Sequence, residues 1–126
     1  MARTFRFKYD LFKCRADTVN YCASKFFVSA FTEGLAQELQ KSNAKLQAKV
    51  LAPAATKTNF GNIANDINDY DKSFGKYHSS EQMAQFLIKL YESNKVVGIV
   101  DRESFEFKLN NPILPYAGDS ANNQKL

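Results

Sequence analysis

The strongest constraint on the fold is a capped amphipathic segment that leads into a short apolar run. Ser79 and Gln82 have the spacing of a capping box, in which a serine hydroxyl and a glutamine side chain satisfy the free N–H groups of a helix start. Apolar residues then recur with the helical period, at Met83, Phe86, Leu87, Leu90 and Tyr91. Residues 96–100 are apolar, apart from one glycine, and too few for a helix, as in a strand buried on both faces of a parallel sheet. A helix that leads into such a strand predicts an α/β fold.

A second, longer helix is predicted over residues 19–41, because apolar residues recur there with the helical period and cover most of the circumference. Its main seam consists of Tyr21, Phe27, Phe31, Leu35 and Leu39. A helix with so wide an apolar surface needs cover on two sides. We expect its own sheet on one side and a neighbouring helix or subunit on the other.

The remaining segments complete the predicted domain. Residues 45–53 predict a strand that ends at Pro53, since proline cannot donate into a ladder. The segment 60–77 predicts a long connection, and the alternation of Phe105, Phe107 and Leu109 predicts a further extended segment. No linker divides residues 18–126, so we expect one domain there, preceded by a basic arm at 1–17.

Charge, cysteine content and hydropathy exclude several classes of function. The net charge of +4 arises in the first 15 residues, and the rest of the 126-residue chain is balanced, so no nucleic-acid partner is expected. No run approaches the ~20 apolar residues of a membrane span. The two cysteines and His78 lack the spacing of metal ligands, so no metal is expected and His78 is predicted to lie at the surface. A reducing, cytoplasmic setting is the default.

Tyr21 and Lys25 are the candidate chemical pair. Residues four apart on a helix lie one turn apart on the same face. An ammonium near a phenol favours the phenolate, which suits the pair to exchange a proton with a hydroxyl or carbonyl oxygen. The alternative interpretation is a tyrosine at the edge of the core beside a solvated lysine.

The pair belongs to a wider pattern that resembles the short-chain dehydrogenase/reductase family. Tyr21, Ser24 and Lys25 resemble its Tyr-x-x-Ser-Lys active-site motif, and Thr58 stands where the family threonine contacts the nicotinamide carboxamide. The strand that ends at Pro53 resembles the family strand ending in Pro-Gly, with Ala54 in place of the glycine.

The order of the elements extends this resemblance. Residues 81–84 resemble the Glu-x-Val-Ala opening of the family's penultimate helix, so the resemblance spans about residues 18–100. It implies a partial Rossmann-like fold, namely the C-terminal half of a doubly wound parallel sheet with packed helices.

The resemblance also implies an activity and its residues. The family carries out NAD- or NADP-dependent oxidoreduction of small-molecule alcohols and carbonyls. By this resemblance Tyr21 is the general acid/base and Lys25 assists it and binds the nicotinamide ribose. Pro53 and Thr58 would complete the cofactor-binding set.

Two parts of the family pattern are missing from the sequence. The five glycines are dispersed, so no Gly-rich turn is available for the cofactor pyrophosphate, and no serine precedes Ser24. We therefore expect a truncated and inactive form that does not bind NAD or NADP alone. The alternatives are a non-catalytic fragment that forms dimers or other complexes through helix 19–41, or a gene remnant.

Overall fold

The computed structural model describes residues 19–59 and 75–114. These ranges contain two helices and a three-stranded mixed sheet, joined by loops and turns. In chain order the elements are α1 (Val19–Lys41), β1 (Val50–Ala52), α2 (Ser80–Glu92), β2 (Val97–Val100) and β3 (Phe107–Asn110). The α/β class is confirmed, and the arrangement is consistent with part of a Rossmann-like fold. The predictions for the arm at 1–17 and for residues 60–74 lie outside the described residues.

The sheet is built around β2. It pairs in parallel with β1, Val50 lying opposite Val97, and antiparallel with β3, Val100 lying opposite Phe107. All four residues of β2 are buried, which confirms the prediction of a buried parallel strand. The strand predicted over 45–53 is shorter than expected, because β2 begins only opposite Val50 and no strand of the described part pairs with the residues before it.

Helix α1 has the predicted bounds but not the predicted burial. Its buried residues are Cys22, Glu33 and Ala36, whereas Phe27 and Phe31 of the predicted apolar seam are exposed. The helix packs against β1. The second side, for which we predicted cover, remains open in the described structure.

The C-terminus of α1 is closed by main-chain hydrogen bonds. The Ala44 N–H donates to the Leu39 carbonyl at 2.9 Å and the Asn43 N–H to the Gln40 carbonyl at 3.1 Å. Asn43 has φ 53°, the left-handed conformation that asparagine tolerates better than most residues. This pair of bonds is a Schellman motif, which turns the chain from α1 toward β1.

Helix α2 is capped at both ends. The predicted capping box is confirmed: the Gln82 N–H donates to Ser79 Oγ at 3.2 Å, and the Ser79 N–H donates to Gln82 Oε1 at 2.9 Å. At the other end, Lys49 Nζ donates to the carbonyls of Leu90, Ser93 and Lys95 at 2.5–3.0 Å. An ammonium at a helix C-terminus is favourable because the unpaired carbonyls carry partial negative charge. Lys49 therefore ties the entry of β1 to the end of α2.

Asp101 shapes the turn between β2 and β3. Its carboxylate accepts the N–H groups of Ser104 and Glu103, at 3.0 and 2.9 Å, and these bonds lower the pKa of Asp101 below its ordinary value. Its carbonyl accepts the Phe105 N–H at 2.8 Å. The carboxylate thus supports the turn at neutral pH, and this support is lost as the pH falls through the lowered pKa.

A buried carboxylate ties the segment after β3 to α1. Glu33 is only 4% exposed, and its Oε2 accepts the N–H groups of Ile113 and Leu114 at 2.9 and 2.8 Å. A buried charged group is stable only when hydrogen bonds or an opposite charge replace its water. Here two consecutive main-chain donors supply those bonds.

Glu33→Ala is expected to destabilise the fold by about 3 kcal/mol, since two partly buried N–H groups lose their acceptor. Glu33→Gln keeps an acceptor oxygen in place and should cost about 1 kcal/mol. Urea unfolding monitored by circular dichroism measures both. The matched control is Glu38→Ala, an exposed glutamate of the same helix. Equal losses for Glu33→Ala and Glu38→Ala would show that the tie contributes nothing.

Candidate functional site

Tyr21 and Lys25 lie together near the start of α1. The Lys25 ammonium nitrogen is 5.5 Å from the centroid of the Tyr21 ring, within the range of a cation–π contact. Their four-residue spacing places both side chains on one face of the helix, so α1 alone creates this proximity. Ser24, between them, donates its hydroxyl proton to the Tyr21 carbonyl at 2.7 Å.

Water reaches this pair. The Tyr21 side chain is 56% exposed, and Lys25 is also exposed. Water weakens the interaction between an ammonium and a phenol oxygen, since Coulomb energies fall as the effective dielectric constant rises. The described residues therefore bring the Tyr21 phenol and the Lys25 ammonium together but do not enclose them.

Pro53 and Thr58 lie on the loop that follows β1, both exposed. The Thr56 hydroxyl donates to the Ala54 carbonyl at 2.9 Å, and Thr56 forms a parallel bridge with His78. The loop begins at the carboxyl end of a parallel strand, which is where open α/β sheets bind ligands. Its position suits a role in binding.

The order of the elements relates the two parts of the candidate site. Residues 42–49 join the end of α1 to the start of β1, and α1 packs on that strand. Tyr21 and Lys25 lie at the other end of α1, and Pro53 follows the other end of β1.

The prediction that His78 lies at the surface is wrong. The residue is 7% exposed, and its ring lies against those of Phe86 and Phe105. Both phenylalanines come from later elements of the chain, α2 and the β2–β3 turn, so local sequence gave no sign of this burial. The residues next to His78 in sequence, apart from Tyr77, are polar.

Metal and membrane features are not found in the described ranges, 19–59 and 75–114. Within them no three side chains of the types His, Cys, Asp and Glu come together as a metal would require. None of their helices combines the length and apolar character needed to cross a bilayer.

A cavity of about 370 Å³ lies away from these residues. It is lined by the end of α1, the chain entering β1 and residues 94–96. This is the amino end of the parallel strands, opposite to the loop that carries Pro53 and Thr58. The cavity is therefore not part of the predicted site.

Comparison with known proteins agrees with the sequence pattern. A family model described as "short chain dehydrogenase" matches residues 12–68, a stretch that contains Tyr21, Lys25, Pro53 and Thr58. Dehydrogenase/reductase SDR family member 11 of Gallus gallus is 33% identical over 86 residues. That match covers 64% of this chain and 33% of the relative, so the chain matches about a third of the length of this curated protein.

Proposed function

We propose that this chain holds the proton-transfer pair of an NAD(P)-dependent oxidoreductase. The chain belongs to the short-chain dehydrogenase/reductase family and matches part of the length of its relative. The substrate class is a small-molecule alcohol or carbonyl. The observation that carries the proposal is the contact between Lys25 and Tyr21, 5.5 Å from nitrogen to ring centroid, inside the matched region. A reducing, cytoplasmic setting is part of the proposal.

The roles of the residues follow from their chemistry. The Tyr21 hydroxyl would give a proton to a carbonyl oxygen, or take one from an alcohol, in its role as general acid/base. The Lys25 ammonium would stabilise the phenolate between these steps and bind the ribose of the cofactor. The nicotinamide, when bound, supplies or accepts the hydride.

The chain fits only one end of such a cofactor. Pro53 and Thr58 are exposed on the loop after β1 and can face a nicotinamide. The sequence offers no Gly-rich turn for the pyrophosphate and no serine before Ser24. We therefore propose that this chain by itself is a truncated, inactive form of the family's enzymes, with residues 1–17 as an unrelated arm.

The isolated chain is expected not to bind NAD or NADP measurably. The cofactor pyrophosphate contributes much of the binding, and the sequence has no Gly-rich turn to bind it. Titration calorimetry with each nucleotide tests this. Saturable binding tighter than about 100 μM, about −5.5 kcal/mol, would contradict the proposal that the chain is inactive alone.

A chimera tests the proposed chemistry. Replacing residues 1–17 by a family first half that carries the Gly-rich turn and the serine should restore NAD(P)-dependent oxidoreduction of an alcohol or carbonyl. Tyr21→Phe in this chimera removes the proton donor but keeps the ring, so kcat should fall by about 100-fold or more. Lys25→Met should lower kcat and weaken cofactor binding. Thr58→Val should weaken cofactor binding by about 1 kcal/mol, the contribution of one neutral hydrogen bond.

The matched control for the chimera is Tyr91→Phe, which removes the hydroxyl of an exposed tyrosine on α2. Its rate should equal that of the parent chimera. A Tyr21→Phe chimera that retained most of its activity would refute the assignment of α1 as the catalytic helix.

The exposed face of α1 favours a second candidate function, association without catalysis. Phe27 and Phe31 are 67% and 60% exposed, and their rings stack at 5.9 Å. Val28, between them in sequence, is also exposed. Adjacent exposed apolar side chains of this size are typical of protein–protein contacts. On this proposal the helix over residues 19–41 joins two copies of the chain, or the chain and another protein.

Self-association should depend on this face. Phe27→Ser combined with Phe31→Ser should lower the average mass measured by light scattering at micromolar concentrations, because the substitutions remove apolar surface from the contact. Leu87→Ser, at an exposed leucine of α2, is the control and should leave the mass unchanged. An unmodified chain that remains monomeric at all concentrations would rule out the homo-oligomer.

A further inference from the structure

His78 connects the loop after β1 to the start of α2. Its N–H donates to the Ala55 carbonyl, and its carbonyl accepts the N–H of Lys57, each at 2.9 Å. Thr56, between these partners, is its bridge partner in a parallel arrangement. The two bonds continue the direction of the parallel pairing beyond the last residue of β1. The position of residues 55–57 therefore depends on that of His78.

Rings from other elements hold the side chain of His78. Its centroid lies 4.9 Å from that of Phe105, with the rings stacked, and 5.3 Å from that of Phe86, edge to face. Phe86 in turn stacks on Phe107 at 4.6 Å. We call these four side chains the ring cluster. It links the residue that pairs with the loop to α2, the β2–β3 turn and β3. Aromatic pairs at these distances stabilise beyond the area they bury.

Two backbone positions allow the ring cluster to form. A Cβ on Gly98 would lie 2.9 Å from a ring carbon of Phe107 and 3.2 Å from the Leu51 side chain, so a glycine lets the Phe107 ring approach β2. Phe105 has φ 61°, a left-handed conformation that is unfavourable for a bulky residue. That conformation persists because its ring packs on His78 and its N–H is bonded to Asp101.

The Nδ1 atom of His78 does not hold the ring in place. It is buried and has no hydrogen-bond partner among the described residues. A buried polar atom without a partner opposes folding, so the ring contacts must outweigh its desolvation. A side chain with an aromatic ring and no nitrogen should preserve those contacts.

We propose that His78 is a positioning residue for the loop at 53–58. It acts through its ring contacts and its two main-chain bonds, and it sets the place of Pro53 and Thr58, the proposed nicotinamide-binding residues. The biochemical meaning of this role rests on the proposed function. The position of the loop itself can be measured without turnover, so the two proposals can fail separately.

Hydrogen exchange in the full chain tests the role of His78. In the unmodified protein the Lys57 amide should be protected by its bond to the His78 carbonyl. His78→Ala removes the ring and should speed exchange of Lys57 by about tenfold or more, while the amides of β2 exchange as before. His78→Phe should restore the slow exchange. Tyr91→Ala, which removes an exposed ring from α2, is the control and should leave Lys57 unchanged.

Each outcome decides the proposal. Exchange of Lys57 that is unchanged in His78→Ala, or as fast in His78→Phe as in His78→Ala, overturns it. If His78→Ala speeds exchange throughout the molecule, the test rests on His78→Phe alone. Slow exchange of the Lys57 amide in that variant supports the role of the ring. If the chimera is inactive but Lys57 exchanges fast in His78→Ala and slowly in His78→Phe, the proposed function is refuted and the positioning role of His78 is supported.

Discussion

The burial of β2 between two partners is the constraint on which the described structure depends. Its first three residues pair in parallel with β1 on one side, and all four pair antiparallel with β3 on the other. Val97, Ile99 and Val100 are nearly inaccessible to water, and burying each such side chain contributes about 2 kcal/mol. Helix α2 packs on this strand, and α1 reaches the sheet through β1. Any change that displaced β2 would therefore disturb every other element.

Polar groups fix the connections that the apolar core leaves undetermined. The Lys49 ammonium satisfies three carbonyls around the end of α2, and the Glu33 carboxylate satisfies two N–H groups after β3. Within the described ranges, both are charged groups bonded to main-chain atoms. Hydrogen bonds to charged groups are stronger than those between neutral groups and are directional. They specify where segments distant in sequence must lie.

The candidate site combines a local and a tertiary component. The Tyr21–Lys25 contact follows from helical geometry, and a stable α1 is all that it needs. The placement of Pro53 and Thr58 depends on the end of β1 and on the pairing of residues 55–57 with His78. Under the proposed function, a productive arrangement of Tyr21 and a nicotinamide would require both. The ring cluster would then matter to function, because it holds His78, to which residues 55–57 are bonded.

The sequence alone determined the features that arise within one segment. The bounds of α1, the capping box of α2, the buried parallel strand and the Tyr21–Lys25 pair were all predictable, because helical period, cap spacing and apolar runs act over a few residues. The tertiary structure decided the rest. His78 is buried by rings up to 27 residues away in sequence, Glu33 by a segment 80 residues later, and the seam at Phe27 and Phe31 stays exposed. Such outcomes depend on which elements meet in space, and period and composition do not contain that information.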